Sequence, residues 1–466
     1  MAAEHLASAR VLLDALHESL GLPRPAGVEI AGADPVLATR FRVGEAAAAA
    51  LAATAVAAAE IWQLRTGRRQ RVRVDVTGAA ASLLGFLYQR VESGPGVGAF
   101  DPRNRITGFY PTRDGQWFLL HQSFPETERR ALALLGCDGE REAVAARIAA
   151  WDAQSLEDAI AERGLCGARV RSAAEWATHP QGRALASTPV VEVIRVGDSP
   201  PEPFPAAARP LSGVRVLDLT RVLAGPTCGR TLAAHGADVL RIGSPHLPSV
   251  PPFVMDTSHG KRSAFLDLRS PSDADRLRAL VRGADVFAQG YRTGALARLG
   301  FGPEALLELR PGLVYTSINC YGHEGPWKER PGWEQLAQTV TGLAHEHGGA
   351  TGPQLLPAAA TDYNTGYLAA LGTLIALARR AHEGGSYWVR ASLSRTAMWL
   401  DGMSRTESVG PGLSAEQVRP HLTHSSTVFG ELSHLGPIVQ LSETPARWAL
   451  PTVPLGTHPP EWAKED

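Results

Sequence analysis

Asp362 stands in the stretch Ala360-Thr361-Asp362-Tyr363-Asn364-Thr365-Gly366, directly ahead of an apolar run from Tyr367 to Leu377. That pattern places one carboxylate at the mouth of a long helix. Asp is a favoured N-cap, because its oxygen accepts the unpaired amide hydrogens of the first turn. The positive end of the helix dipole favours its ionised form. A carboxylate so placed either caps the helix or serves as a nucleophile, and spacing alone leaves both open. Gly366, with Ala369 and Ala370, leaves the first turns without bulk, so a second backbone or a ligand can approach closely. A second acid, Glu334, follows Trp333 and is either structural or part of the same chemistry. Glycine-rich backbone such as Gly94, Gly96 and Gly98 could donate hydrogen bonds to an oxyanion, although most such loops are hinges.

The elements that must carry these groups follow from periodicity. Glu45 to Leu64 is helical by composition, Thr66 to Gln70 a turn, and Arg71 to Val76 alternates as a strand. This unit repeats around Asp362. Gly67 to Arg73 lies over Gly384 to Arg390 without a gap, which puts Glu45 in the place of Asp362. Thr112 to His121 reads as a hairpin turning at Asp114-Gly115. Pro189 to Pro210 is the best linker.

From Leu211 onward, strand and helix patterns alternate, as in an α/β doubly wound parallel sheet with its ligand crevice at the carboxyl ends of the strands. No G-x-G-x-x-G follows the first strand, so a nicotinamide or flavin site is not expected. The expected division is 1–92 for N-terminal helices and the degenerate repeat, and 93–195 for a smaller α+β domain. Residues 196–210 form the linker, 211–400 the Rossmann-like catalytic domain, and 401–466 a C-terminal return segment.

Composition excludes several classes. Hydrophobic residues are 44% and charged residues 20% of the 466, as in an ordinary globular chain. The net charge of −1 argues for neither nucleic acid nor a membrane surface. Cys137, Cys166, Cys228 and Cys320 form no CxxC pair, which argues against a metal site and a disulfide scaffold and suits a reducing cytoplasm. The opening Met1-Ala-Ala-Glu-His carries an early acid and does not read as a secretory signal. The apolar run Ala46 to Ala59 is shorter than the roughly 20 residues of a membrane span and reads as a packed helix. Of 46 basic residues only Lys261, Lys328 and Lys464 are lysine, so these mark places where Arg would not serve.

Several motifs together resemble the class III CoA-transferases, the CaiB/BaiF family of formyl-CoA, carnitine-CoA and succinyl-CoA:acid transferases, with α-methylacyl-CoA racemases as relatives. They are the Asp362–Gly366 stretch with its Ala/Leu-rich helix, "LSGVRVLDLTRVLAGP", "GADVLRI", "HGKRSAFLDL", "ADVFAQGYRTGALARLGFG", "GLVYTSINCYGHEGP" and "RPGWEQLAQTVTG". The likeness covers most of residues 45–90, 100–195 and 211–462. It implies a Rossmann-like domain plus a small α+β domain, a homodimer, and no permanently bound cofactor or metal. The substrates would be an acyl-CoA and a free carboxylic acid, with Asp362 as nucleophile and Glu334 beside it.

Coenzyme A needs cations for its phosphates, a slot for adenine and small residues along its arm. Val222, Ala224, Lys261, Tyr291, Arg298 and Lys328 match the family's CoA-contacting positions, and Leu223 and Arg262 flank them. Trp333 stands where the racemase branch carries a His that serves as one of its bases, which favours transfer.

Two departures stand out. The small-domain-like part precedes the α/β part, as in a truncated tandem fusion. Gly243 and Ser244 also replace the family's usual acid and a basic residue that often follows it. A racemase or dehydratase-like relative, and a non-catalytic CoA-binding protein, remain alternative readings. Glu45, with no Thr-Gly after it, is expected to be a relic.

Overall fold

The computed structural model describes residues 8–93 and 105–463. The glycine loop at 94, 96 and 98 lies outside the described residues, as does Lys464.

Seven strands form the main sheet: β1 Val191–Gly197, β2 Arg215–Leu219, β3 Asp238–Gly243, β4 Lys261–Phe265, β5 Val286–Gln289, β6 Val314–Asn319 and β7 Ser386–Ser392. Their spatial order is β4-β3-β2-β5-β6-β7-β1. All pair in parallel except β1, which runs antiparallel along β7. The six parallel strands thus have the doubly wound order, whose direction reverses between β2 and β5. β2, β5 and β6 are almost wholly buried, as strands covered on both faces must be.

β1 departs from the expected division, since it straddles the end of the 93–195 unit and belongs to the large sheet. Its Val191 and Val193 pack against the bare backbone of Gly372, and that apolar contact draws the segment onto the sheet. The smaller unit keeps its own sheet of Gly108–Pro111, Trp117–Leu120 and Gly167–Arg169. Three helices between residues 125 and 162 cover it around a separate core. The tail returns to the rest of the chain, pairing Gly430–Leu435 with Arg90–Ser93 and Gln440–Leu441 with Val72–Asp75.

Two helices dominate the interior. Helix α1, Val43–Thr66, and helix α5, Ala360–Glu383, are each 24 residues long, and both bounds of α5 fall 317 residues after those of α1. Between them in sequence lie α2 Ala224–Ala234, α3 Pro251–Thr257 and α4 Glu334–Thr341. α1 packs lengthwise on α5, and Thr54 Oγ1 donates to the Tyr367 carbonyl at 3.1 Å. The alanines of α1 let the axes come close, and nearly all of them are buried. Among the described residues α1 is the one helix long and apolar enough to cross a membrane, and 83% of its most apolar window is buried inside the protein.

The other face of α5 meets α2. A Cβ on Gly366 would lie 2.5 Å from the Ala224 carbonyl and 2.7 Å from Thr227 Cβ, so only glycine permits this crossing.

Lys261 corrects an expectation. It is not in an open loop but is the first residue of β4, with no exposure to solvent. Its Nζ donates to Asp218 Oδ2 at 2.7 Å and to the Pro226 carbonyl at 2.7 Å. Burial pushes its pKa down to about 8, against the opposing pull of Asp218. This ammonium is committed to holding β2, β4 and the start of α2 together. Lys261→Met should therefore cost about 3–5 kcal/mol in a urea titration, because it strands the Asp218 carboxylate without its cation. Lys328→Met, at an exposed residue, should change stability by less than about 0.5 kcal/mol.

Candidate active site

Asp362 is the third residue of α5, whose N-cap is Ala359. It therefore does not cap the helix. Its carboxylate instead lies near the backbone N–H of Ala224, at the first position of α2, which favours its charged form. Two helix starts thus converge on one carboxylate. α2 begins without a side-chain cap, so its first amides are not claimed by one. Val222, just ahead of it, has φ 66°, a left-handed conformation that costs a β-branched residue roughly 1–3 kcal/mol. The strained turn sets the direction in which Leu223 and Ala224 present their amides.

Glu334 opens α4 beside Asp362, and both are buried, at 4% and 7% exposure. Gln338 Nε2 donates to Glu334 Oε1 at 2.5 Å, and the Thr361 amide reaches the same oxygen at 3.4 Å. Burial raises the Glu334 pKa to about 7, with these hydrogen bonds opposing. Asp362 is pushed well above the usual carboxylate range, first by burial and then by the nearby Glu334. The helix dipole does not outweigh desolvation here.

The two acids form the floor of a cavity of about 590 Å³. Its walls include Val222, Leu223, Phe86, Phe124, Phe253, Trp333 and Leu355, with His121 and Ser123 contributed by the smaller unit. His121 is buried and its pKa falls to about 4 through desolvation, so the imidazole is neutral at pH 7. A narrow waist, lined also by Arg221, Arg241 and Ser244, shares Phe124, Val222, Val250 and Phe253 with this cavity. The waist shares Gly243, Ser244 and Leu247 with a second cavity of about 250 Å³ at the carboxyl ends of β2 to β5, lined also by Leu219, Ile242, Leu266 and Tyr291. This is the point where the strand order reverses, the expected place for a ligand in such a sheet.

Val222, Leu223 and Tyr291 are thus brought to one trough with Asp362 and Glu334, and Ala224 lies beside Asp362 without lining it. Four predicted binding residues are not brought there. Lys261 is sealed in its pair with Asp218. Arg262 is clamped by both oxygens of Asp238, at 2.7 and 2.8 Å, at the amino end of β4 and so away from the crevice. Arg298 is exposed on the turn Ala297–Leu299, and its neighbours Leu296 and Leu299 line the outer cavity while it does not. Lys328 is exposed in the loop after β6 and lines none of these cavities.

The cations at the waist are Arg221 and Arg241, while Arg105 lines the inner cavity and Arg269 the outer one. Neither Arg221 nor Arg241 makes an ion pair with a carboxylate among the described residues. Arg221 donates to the Pro248 carbonyl at 2.5 Å and lies over the Phe124 ring, and Arg241 reaches Ser258 Oγ at 3.4 Å. Both occur inside motifs quoted above, but strand alternation alone did not show that they face one opening.

The residue after Asp362 anchors the site from behind. Tyr363 Oη donates to Asp256 Oδ2 at 2.7 Å, and Arg230 donates to Asp256 Oδ1 at 2.5 Å. The Phe86 amide donates to Tyr363 Oη at 3.3 Å, which ties a cavity wall to the first turn of α5. No group of three or more His, Cys, Asp or Glu able to hold a metal occurs among the described residues.

Comparison with known proteins agrees with this architecture. A sequence profile of CoA-transferase family III matches residues 26–203 and 211–431. The chain belongs to CoA-transferase family III, a family of enzymes.

An acyl-CoA transferase of Gibberella moniliformis is 35% identical over 421 residues, covering 76% of this chain and 73% of that protein. The succinyl-CoA–L-malate CoA-transferase beta subunit of Chloroflexus aurantiacus is 32% identical over 198 residues, 40% of this chain and 49% of its own length. Against several other curated relatives, too, the chain spans about half of their length. Among solved structures, a CaiB/BaiF family protein from Brucella suis is 27% identical with a TM-score of 0.40, covering 48% of this chain and 65% of that one.

The buried acid yields a pH test. Glu334 in the folded protein keeps its proton up to about pH 7, whereas the unfolded chain releases it near 4.5. Its contribution to stability is therefore neutral below pH 4.5, turns unfavourable between 4.5 and 7, and stays so above. Glu334→Gln removes that slope. Denaturant titrations should show the variant gaining about 3 kcal/mol relative to the parent between pH 4.5 and 8. A difference independent of pH would mean that Glu334 is not the group holding the proton.

Proposed function

We propose that this protein moves CoA from an acyl-CoA thioester to a free carboxylic acid through an aspartyl-CoA intermediate at Asp362. The observation that carries the reading is a desolvated carboxylate under the start of α2, on the floor of the large cavity. Asp362 attacks the thioester carbonyl, the C–S bond breaks, and a mixed anhydride and CoA thiolate form. The thiolate then attacks the aspartyl carbonyl and expels the first acid, leaving the aspartyl-CoA thioester. The acceptor acid takes the CoA by the same steps in reverse.

Splitting the transfer this way replaces one hard step by easier ones. Desolvation suits the nucleophile, because a carboxylate without its water shell is more reactive towards the thioester. Burial raises both acids, and the ionised form of Asp362 is the one that attacks the thioester. The amides at the start of α2 are donors for the negative charge that develops on the reacting carbonyls. In this reading the outer cavity seats adenine, Arg221 and Arg241 meet the pyrophosphate at the waist, and the pantetheine arm passes Val222.

The unit containing α1 is, in the same reading, a degenerate copy of the one containing α5. The matched bounds support it. So do the cap glycines Gly67 and Gly384, each followed by a strand and then a helix. Glu45 occupies the place of Asp362 but is buried against Arg42 at 2.8 Å and lines none of the cavities described here. A cytoplasmic setting fits the four free cysteines, and homodimerisation rests on the family likeness alone.

Asp362→Asn should lower the rate of CoA transfer by at least about 1,000-fold. Acyl-CoA and hydroxylamine should leave a hydroxamate on Asp362 of the parent. Glu45→Gln should keep turnover within about twofold of the parent, as expected away from the chemistry. Cα deuterium exchange without transfer would favour a racemase, and CoA binding without either reaction a non-catalytic protein. Comparable losses at Glu45 and Asp362 would overturn the assignment of the copy.

A further inference from the structure

The space above Asp362 has a chemical character of its own. Phe86 and Phe253 meet edge to face with ring centres 4.8 Å apart, and Phe124 and Trp333 do the same at 5.7 Å. All four rings, with Leu355, line the cavity whose floor is Asp362 and Glu334. A polar acyl group would exchange water for a few side-chain partners such as Thr107, Ser123 and Gln335, whereas an apolar one would exchange it for aromatic surface on several sides.

The charges point the same way. The one arginine among the described lining residues is Arg105, whose side chain is 76% exposed and lies 3.6 Å from Glu140. His121 is neutral at pH 7. A second carboxylate on the acyl group would therefore meet two acids at the floor and rings at the sides. Among the described lining residues only Arg105, already beside Glu140, could pair with it.

Phe86 is the distinctive member of this box. It sits on the one-turn segment Gly85–Leu87, which follows the N-terminal unit and not the α/β domain. Its amide donates to Tyr363 Oη. A Cβ on Gly85 would lie 2.9 Å from Asp256 Oδ1, so the segment is pressed against the same anchor that holds the turn carrying Asp362. The ring is thus held at a set distance from the reacting carboxylate by the network that positions that carboxylate.

Resting on the reading of Asp362 as nucleophile, we infer that the acids exchanged here are bulky apolar monocarboxylates, the size of a phenyl or medium alkyl group, and that Phe86 and Phe253 select them. The departing acid and the entering one occupy this space in turn, so the selection applies to both. Short acids and dicarboxylates are the disfavoured class.

The test measures CoA-ester affinity by calorimetry with the Asp362→Asn protein, which binds without turning over, and kcat/KM with the parent. The esters are acetyl-, succinyl-, hexanoyl- and phenylacetyl-CoA, and the last two separate alkyl from aryl preference. Hexanoyl- or phenylacetyl-CoA should exceed acetyl- and succinyl-CoA by at least about tenfold in both measurements, the scale on which apolar pockets discriminate.

Adding Phe86→Ala should reduce that ratio at least about fivefold while leaving acetyl-CoA affinity within about twofold. Phe253→Leu serves the same purpose if the alanine variant does not fold. Equal or tighter binding of acetyl- or succinyl-CoA, or a uniform loss for every ester in the Phe86 variant, would overturn the inference. Selective binding without any transfer would instead overturn the proposed reaction and leave the selectivity standing. Transfer without selectivity would do the reverse.

Discussion

The crossing of α2 over α5 at Gly366 is the contact on which the site depends. Because Gly366 has no side chain, the Ala224 carbonyl and Thr227 approach to distances a Cβ could not tolerate. That approach brings the start of α2 over the first turn of α5 and lets the Ala224 amide reach Asp362. α1 closes α5 from another side with a face made almost entirely of alanine. Helix α5 is therefore held between two helices by small residues, and its first turn has little freedom. Tyr363, Asp256 and Arg230 restrain the same turn through side-chain hydrogen bonds. Satisfied buried networks of this kind favour one arrangement over its alternatives.

Charge is divided between scaffold and trough. The buried Lys261–Asp218 pair holds strands to a helix, and the Arg262–Asp238 clamp holds an edge strand. Arg221 and Arg241 lie at the waist and make no ion pair with a carboxylate among the described residues. At the floor the arrangement is reversed, with two acids gathered in a place that disfavours their charge. Raised acids in a cleft are a common sign of chemistry, because structure alone gains nothing from burying like charges together. The strained φ of Val222 lies between these two regions, where the chain turns from β2 into α2.

Much of this was legible before folding. Alternation of strands and helices after Leu211 gave the doubly wound class, and small residues around Gly366 announced a close approach. Both are local patterns that depend on one element at a time. Asp362, Glu334, Val222, Leu223, Ala224 and Tyr291 were singled out, and they do gather along one trough, with Ala224 beside it and not lining it. A gapless register between the stretches of Glu45 and Asp362 was visible in the sequence, and α1 and α5 are both 24 residues long.

Cations were the least legible, because a charge in a sequence does not say whether its partner is solvent, a ligand or a buried acid. Lys261 looked available because Asp218, 43 residues away, could not be seen to reach it. Arg241 looked like one residue of an alternating strand until β2 and β3 were paired and α3 closed the waist. The surroundings of Asp362 were likewise decided in three dimensions. In one helix it reads as a cap, and only the arrival of Ala224 and Glu334 from distant segments makes it a desolvated carboxylate beside a backbone amide and a second acid. The aromatic walls come from positions 86, 124, 253 and 333, which no local pattern connects. Sequence by itself determined which elements form and which residues are chemically able. Tertiary structure alone decided which of them share a cavity, because desolvation and pairing depend on distances between segments that the chain brings together only on folding.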